Sequence, residues 1–79
     1  MEDKVKKIFC QVLGVQESEV NDETAYDSFE PWDSLRHMRI VAALEKEFDI
    51  NFIMDDIIAM GTFKKIKDTV KKYIEMSGR

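Results

Sequence analysis

Three apolar stripes at helical spacing, interrupted by one long acidic stretch with no period, constrain this chain more than any other feature. Val5, Ile8, Phe9, Val12 and Leu13 fall at i, i+3, i+4, i+7 and i+8, one face of a first helix. Gly14 follows, where a left-handed residue commonly ends a helix. A second helix is predicted from Arg36 to Phe48, a run without glycine or proline. It places Ile40, Val41, Leu44 and Phe48 in one sector with His37 at its edge. Asp49-Ile50-Asn51 ends it. Asp55 to Met60 reads as a short helix, acidic at its start and apolar at Ile57, Ile58 and Met60. Gly61-Thr62 then breaks and recaps the chain, with Thr62 as N-cap of a last helix. Phe63, Ile66, Val70 and Ile74 line that helix inward, while Lys64, Lys65, Lys67, Lys71 and Lys72 solvate its other side. No segment alternates with strand period. The expected fold is all-α: a small bundle of three main helices plus one short helix, with a long loop between the first two.

Size and charge narrow the function classes. With 79 residues the chain is expected to form a single domain over 1–79. So short a chain buries only about 60 to 65% of its unfolded surface, so its core is small. A hydrophobic content of 44% with 35% charged residues fits a globular domain rather than a disordered tail. The formal net charge of −4 argues against nonspecific nucleic-acid binding. No apolar run reaches membrane-spanning length, and Met1-Glu2-Asp3-Lys4 does not begin a secretory signal. Cys10, the lone cysteine, cannot form an internal disulfide, and with one histidine it cannot build a Cys/His metal site. The acidic run from Glu17 to Asp33 lacks EF-hand spacing and reads as solvated acid. A cytoplasmic monomer, with no membrane or nucleic-acid partner and no metal, is the expectation.

The aperiodic segment, residues 15–33, contains Asn21-Asp22, Asp27-Ser28 and Pro31, all turn or breaker signals. Val15, Val20, Tyr26, Phe29 and Trp32 are spaced through it as anchors onto the helices. A loop this long inside a small domain is commonly functional. It leads into Trp32-Asp33-Ser34-Leu35. Either Ser34 or Asp33 can cap the second helix by accepting a hydrogen bond from an orphan backbone N–H. That helix start is also where a phosphate is electrostatically welcome. Ser34 is not expected to be a catalytic nucleophile, since that role needs an adjacent oriented base and His37 sits toward the core-facing sector.

Asp33-Ser34-Leu35, the following Ala43-Leu44-Glu45-Lys46-Glu47-Phe48, and the spacing from Gly14-Val15 through Ser34 to Thr62 resemble the acyl carrier protein family over nearly the whole chain. The resemblance implies an acyl-carrier-like bundle and a carrier rather than an enzyme. It implies that Ser34 receives 4′-phosphopantetheine from coenzyme A, whose thiol then holds acyl groups as thioesters. Asp33 and Leu35 would be read by the phosphopantetheinyl transferase, Asp33 together with its magnesium ion. The other partners would be acyl- or aminoacyl-loading and downstream biosynthetic enzymes. Leu35, Met38 and Ala42 fall at i, i+3 and i+7 outside the core stripe, as a landing site for partners or as a surface covered by the short helix. Arg36, Arg39 and Lys46 depart from the fatty-acid type, whose corresponding helix start is mostly acidic. Glu30-Pro31-Trp32 likewise replaces a common glycine. Arg36 and Arg39 favour a stand-alone carrier in a specialised pathway, such as polyketide, peptide, modified-lipid or surface-sugar synthesis, while the loop departure touches neither the fold nor the attachment site. An aminoacyl or peptidyl carrier is the alternative cargo class. An unmodified helical protein-interaction domain, with Ser34 only a cap of about 1 kcal/mol, is the rival class.

Overall fold

A computed structural model of the chain describes residues 1–77; the last two positions of the expected span lie outside the described residues. Helices α1 (Glu2–Leu13), α2 (Ser34–Phe48), α3 (Met54–Ala59) and α4 (Phe63–Met76) follow in order, with one 3-10 turn at Glu17–Glu19. Among the described residues the only strand-like pairing is an isolated antiparallel bridge between Ala25 and Thr62.

Each long helix turns its apolar stripe inward. Val5, Phe9 and Leu13 of α1 meet Ile40, Val41 and Leu44 of α2 and Phe63, Ile66 and Val70 of α4 in one buried core. Ile8, Val12, Phe48 and Ile74 pack at its margin. The helix α1 stops at Gly14, whose φ of 69° suits a residue without a side chain and lets its N–H reach the Cys10 carbonyl at 2.8 Å. Phe9 is the hub. Its ring meets Trp32 edge-on at 4.9 Å and Phe63 at 5.0 Å, so α1, the loop and α4 converge on one side chain. Cys10 is buried, and that burial, aided by the Glu17 carboxylate, pushes its thiol above the ordinary value.

The long loop is stitched to the start of α4. A helix leaves its first N–H groups without internal partners. Here the Phe63 N–H donates to the Thr24 carbonyl at 2.9 Å and the Lys64 N–H to the Asp22 carbonyl at 3.1 Å. Thr62 accepts from the Lys65 N–H at 3.1 Å, the cap expected from sequence. Val20 and Trp32 are buried, while Val15 and Phe29 pack at the core margin. Tyr26, expected as an anchor, leans edge-on against Trp32 and meets His37, each at 5.8 Å, while staying 39% exposed. Lys67 departs from its expected solvated role. Its side chain is only 18% exposed and spans Asp22 at 2.6 Å and Glu2 at 3.5 Å. The mutual hydrogen bond holds Asp22 below and Lys67 above their ordinary pKa values.

Helix α3 runs one residue earlier than the expected Asp55 to Met60, and Ile57 is its only buried residue. Outside supports hold it. The Tyr73 hydroxyl of α4 donates to Asp56 Oδ2 at 2.6 Å and accepts the Ile53 N–H at 3.0 Å. Lys72 reaches the same carboxylate at 3.3 Å. The Glu45 carboxylate of α2 accepts the Phe52 N–H at 2.9 Å. The Tyr73 hydrogen bond, then Lys72, lowers the Asp56 pKa from its ordinary 3.8. A carboxylate depressed in the folded state stabilises the fold above its unfolded value, and that contribution is lost as pH falls through the folded value. Acidification below 3.8 should therefore lower the thermal midpoint, and Tyr73→Phe should show a smaller acid-induced drop than wild type. Equal drops in the two proteins would show that Tyr73 does not hold Asp56.

Candidate functional site at the start of α2

The apolar period placed the start of α2 at Arg36; the helix begins at Ser34, because the residue before it caps it. Asp33 is extended, with φ −108°, and its Oδ1 accepts the Arg36 N–H at 2.8 Å. Of the two cap candidates it is Asp33 that caps, and Ser34 is the first helical residue. The Ser34 side chain is exposed, and among the described residues its hydroxyl has no hydrogen-bond partner. The helix supplies no acceptor for the N–H groups of Ser34 and Leu35, so partial positive charge surrounds that hydroxyl.

Asp33 is held twice by one residue. Besides the backbone bond, Arg36 Nη1 meets Asp33 Oδ2 at 3.1 Å and approaches the Pro31 carbonyl at 3.5 Å. The side chain expected to face a partner is thus folded over the cap, though 44% of it remains exposed. Arg39 is exposed and has no ion-pair partner among the described residues.

A groove of about 280 Å³ opens beside Ser34. Ser34, His37 and Met38 of α2 form one wall and Met54, Ile57 and Ile58 of α3 the other, with Tyr26, Met60 and Gly61 closing the end. The expected Leu35, Met38 and Ala42 stripe divides here. Met38 lines the groove, whereas Leu35, 62% exposed, and Ala42 face solvent outside it. Ile58, on the α3 wall of the groove, is 74% exposed.

His37 shares this groove with Ser34, contrary to the expected separation of the two; residues three apart on a helix are neighbours. The two do not form a nucleophile–base pair, because both imidazole nitrogens are engaged elsewhere. The Trp32 indole N–H donates to His37 Nδ1 at 3.0 Å. Indole can only donate, so Nδ1 accepts and Nε2 carries the proton, donating to the Ile57 carbonyl at 2.9 Å. This relay ties the loop, α2 and α3 together. Period analysis missed Tyr26, Met54, Met60, Gly61 and the His37 link; the i, i+3 relation to Ser34 was the available signal for His37.

The chain matches the family described as "Phosphopantetheine attachment site" over residues 3–70. It is 31% identical over 74 residues to an acyl carrier protein of Buchnera aphidicola subsp. Baizongia pistaciae, spanning 94% of this chain and 95% of that protein. Its fold superposes with a TM-score of 0.83 on the solution structure of holo acyl carrier protein from Geobacter metallireducens, at 26% identity, covering 96% of this chain and 87% of that one. The chain belongs to the acyl carrier family, whose members bear covalent phosphopantetheine and serve as carriers, not catalysts. Its helical bundle is the fold of that family. The unpartnered Ser34 hydroxyl at a helix start fits attachment through a phosphodiester. No described helix is long and apolar enough to cross a membrane.

Proposed function

We propose that residues 1–79 act as one monomeric cytoplasmic carrier unit, in which Ser34 bears 4′-phosphopantetheine and delivers acyl groups to enzymes of a specialised biosynthetic pathway. The observation that carries this reading is the exposed, unbonded Ser34 hydroxyl at the first position of α2, on the rim of an apolar groove. When attached, the group supplies a thiol on a flexible arm, where acyl groups are held as thioesters. Asp33 fixes the turn that presents Ser34, and its carboxylate faces the transferase and its magnesium ion together with the exposed Leu35. The test is an intact mass after incubation with coenzyme A and a broad-specificity phosphopantetheinyl transferase.

Leu35, Arg36, Met38, Arg39 and Ala42 form the proposed docking surface, and its basic charge supports a pathway other than housekeeping fatty-acid synthesis. Like charge at an interface slows encounter and rejects wrong partners. Because Arg36 is committed to Asp33, reversing it would set two carboxylates side by side, and Arg39 is the cleaner probe. Exposed pairs are worth about 0.2 to 1 kcal/mol. Arg39→Glu should therefore speed acylation by a fatty-acid-type acyltransferase with a basic docking patch by up to about fivefold at low salt, fading as salt is added. An unchanged low-salt rate would reduce Arg39 to a solvated charge.

A further inference from the structure

The relay through His37 joins the two segments that flank Ser34, and its two halves differ chemically. Trp32 lies two residues before Ser34 and His37 three residues after it, with only the cap Asp33 between Trp32 and the helix. Trp32 is 2% exposed and its backbone N–H donates to the Phe29 carbonyl at 2.9 Å, so its seat fixes where the loop delivers the chain to α2. The indole N–H can only donate, so its bond to His37 Nδ1 at 3.0 Å exists only while that nitrogen keeps its lone pair. Protonating Nδ1 sets two N–H groups against each other and breaks the bond. The Nε2–H bond to the Ile57 carbonyl at 2.9 Å survives protonation, and the charge strengthens it. One proton therefore releases the loop while leaving α2 tied to α3. Among the described residues no carboxylate pairs with the ring. The Trp32 indole and the Tyr26 phenol face it from the loop, and the Ile57 carbonyl from α3. Asp56 is engaged by Tyr73 and Lys72, and Asp33 by Arg36. The cleft that His37 shares with Ser34 is lined by no charged side chain.

We propose that His37 is a positioning residue for the modification of Ser34, holding the turn before that serine only as the neutral imidazole. This rests on Ser34 being the attachment point. With the ring neutral, Trp32 is pinned and the cap at Asp33 presents the Ser34 hydroxyl to the transferase. With the ring charged, Trp32 loses its partner, the turn loosens and fewer molecules present Ser34 correctly. Because both ring nitrogens are engaged, His37 acts through Trp32 and not on the hydroxyl.

The experiment follows by mass the rate of phosphopantetheine addition from coenzyme A with a broad-specificity transferase, at about pH 7.5 and about pH 5.5. His37 is the chain's one histidine, and histidine is the side chain that ordinarily changes charge in this window. His37→Gln is the control, since its amide can accept from Trp32, can donate to Ile57 and does not titrate. The ratio of the wild-type rate to the His37→Gln rate cancels the transferase's own pH dependence. That ratio should be near one at the higher pH and fall roughly two- to tenfold at the lower, the equivalent of one ordinary hydrogen bond. His37→Leu, which makes neither bond, should be slow by a similar factor at both. In parallel, the single indole N–H resonance of a proton–nitrogen correlation spectrum should move on acidification in wild type and stay in place in His37→Gln. Circular dichroism establishes that each protein is folded, and the His37→Gln comparison stands without the Leu variant. A ratio that stays flat, or a wild-type indole resonance that ignores pH, would overturn the assignment. So would a folded His37→Leu protein modified as fast as wild type at the higher pH. A wild type that gains no mass at either pH would instead defeat the attachment reading, while the indole resonance would still report whether neutral His37 holds Trp32.

Discussion

Ser34→Ala should emerge from incubation with coenzyme A and a broad-specificity phosphopantetheinyl transferase with its mass unchanged, while wild type gains one phosphopantetheine. Ser18, Ser28 and Ser77 remain as competing hydroxyls, but none opens a long helix, and Ser77 already donates to the Ile74 carbonyl at 2.8 Å. The fold should barely respond. The cap of α2 is Asp33, whose bond to the Arg36 N–H survives the substitution. A surface change of this kind is typically within about 0.5 kcal/mol, against about 1 kcal/mol for loss of the cap in Asp33→Ala. Total loss of the adduct with unchanged helicity is thus the expected pair of results. An adduct on the Ala variant would move the attachment point elsewhere.

Phe9→Ala is expected to be the most damaging single core substitution. Its side chain is fully buried and meets rings from both the loop and α4. Truncating a buried Phe typically costs about 3 to 5 kcal/mol. Natural domains have about 5 to 15 kcal/mol in total, and one this short lies toward the lower end. Much of the folded population should be lost at room temperature, with a large fall in the urea midpoint. Leu44→Ala, at the equally buried centre of α2, should cost about 2 to 5 kcal/mol. A near-wild-type midpoint in either variant would mean that its helix turns a different face to the core.

The three long helices were legible because burial leaves a period in the sequence. Val5 with Phe9, Ile40 with Leu44, and Ile66 with Val70 each repeat at one helical turn, and each pair is buried. Ser34 stands out as a candidate for a different reason, a short motif at a helix start. What the sequence could not convey was pairing between distant positions. Nothing periodic announces that Lys67 would reach across to Asp22 and Glu2, or that the Tyr26 N–H would find the Gly61 carbonyl at 2.9 Å. The His37 to Ile57 bond joins residues twenty apart and uses a backbone carbonyl, an acceptor every residue owns. The pairing of Arg36 with Asp33 is of the same kind, since the apolar period carries no trace of where a charged side chain folds. The early start of α2 follows from the same cause. Capping is decided by one side-chain oxygen, to which the apolar period is blind.

Trp32 is the chain's only tryptophan, and it lies two residues before the proposed attachment serine. Its indole is packed edge-on against Phe9 and Tyr26 and hydrogen-bonded to His37. Indole emission depends on local polarity and on contact with imidazole, so the molecule contains its own optical probe at the place where its chemistry is proposed to happen. Seating of the acidic loop, loading of Ser34 and rearrangement of the His37 link can each be followed by intrinsic fluorescence in the unlabelled protein.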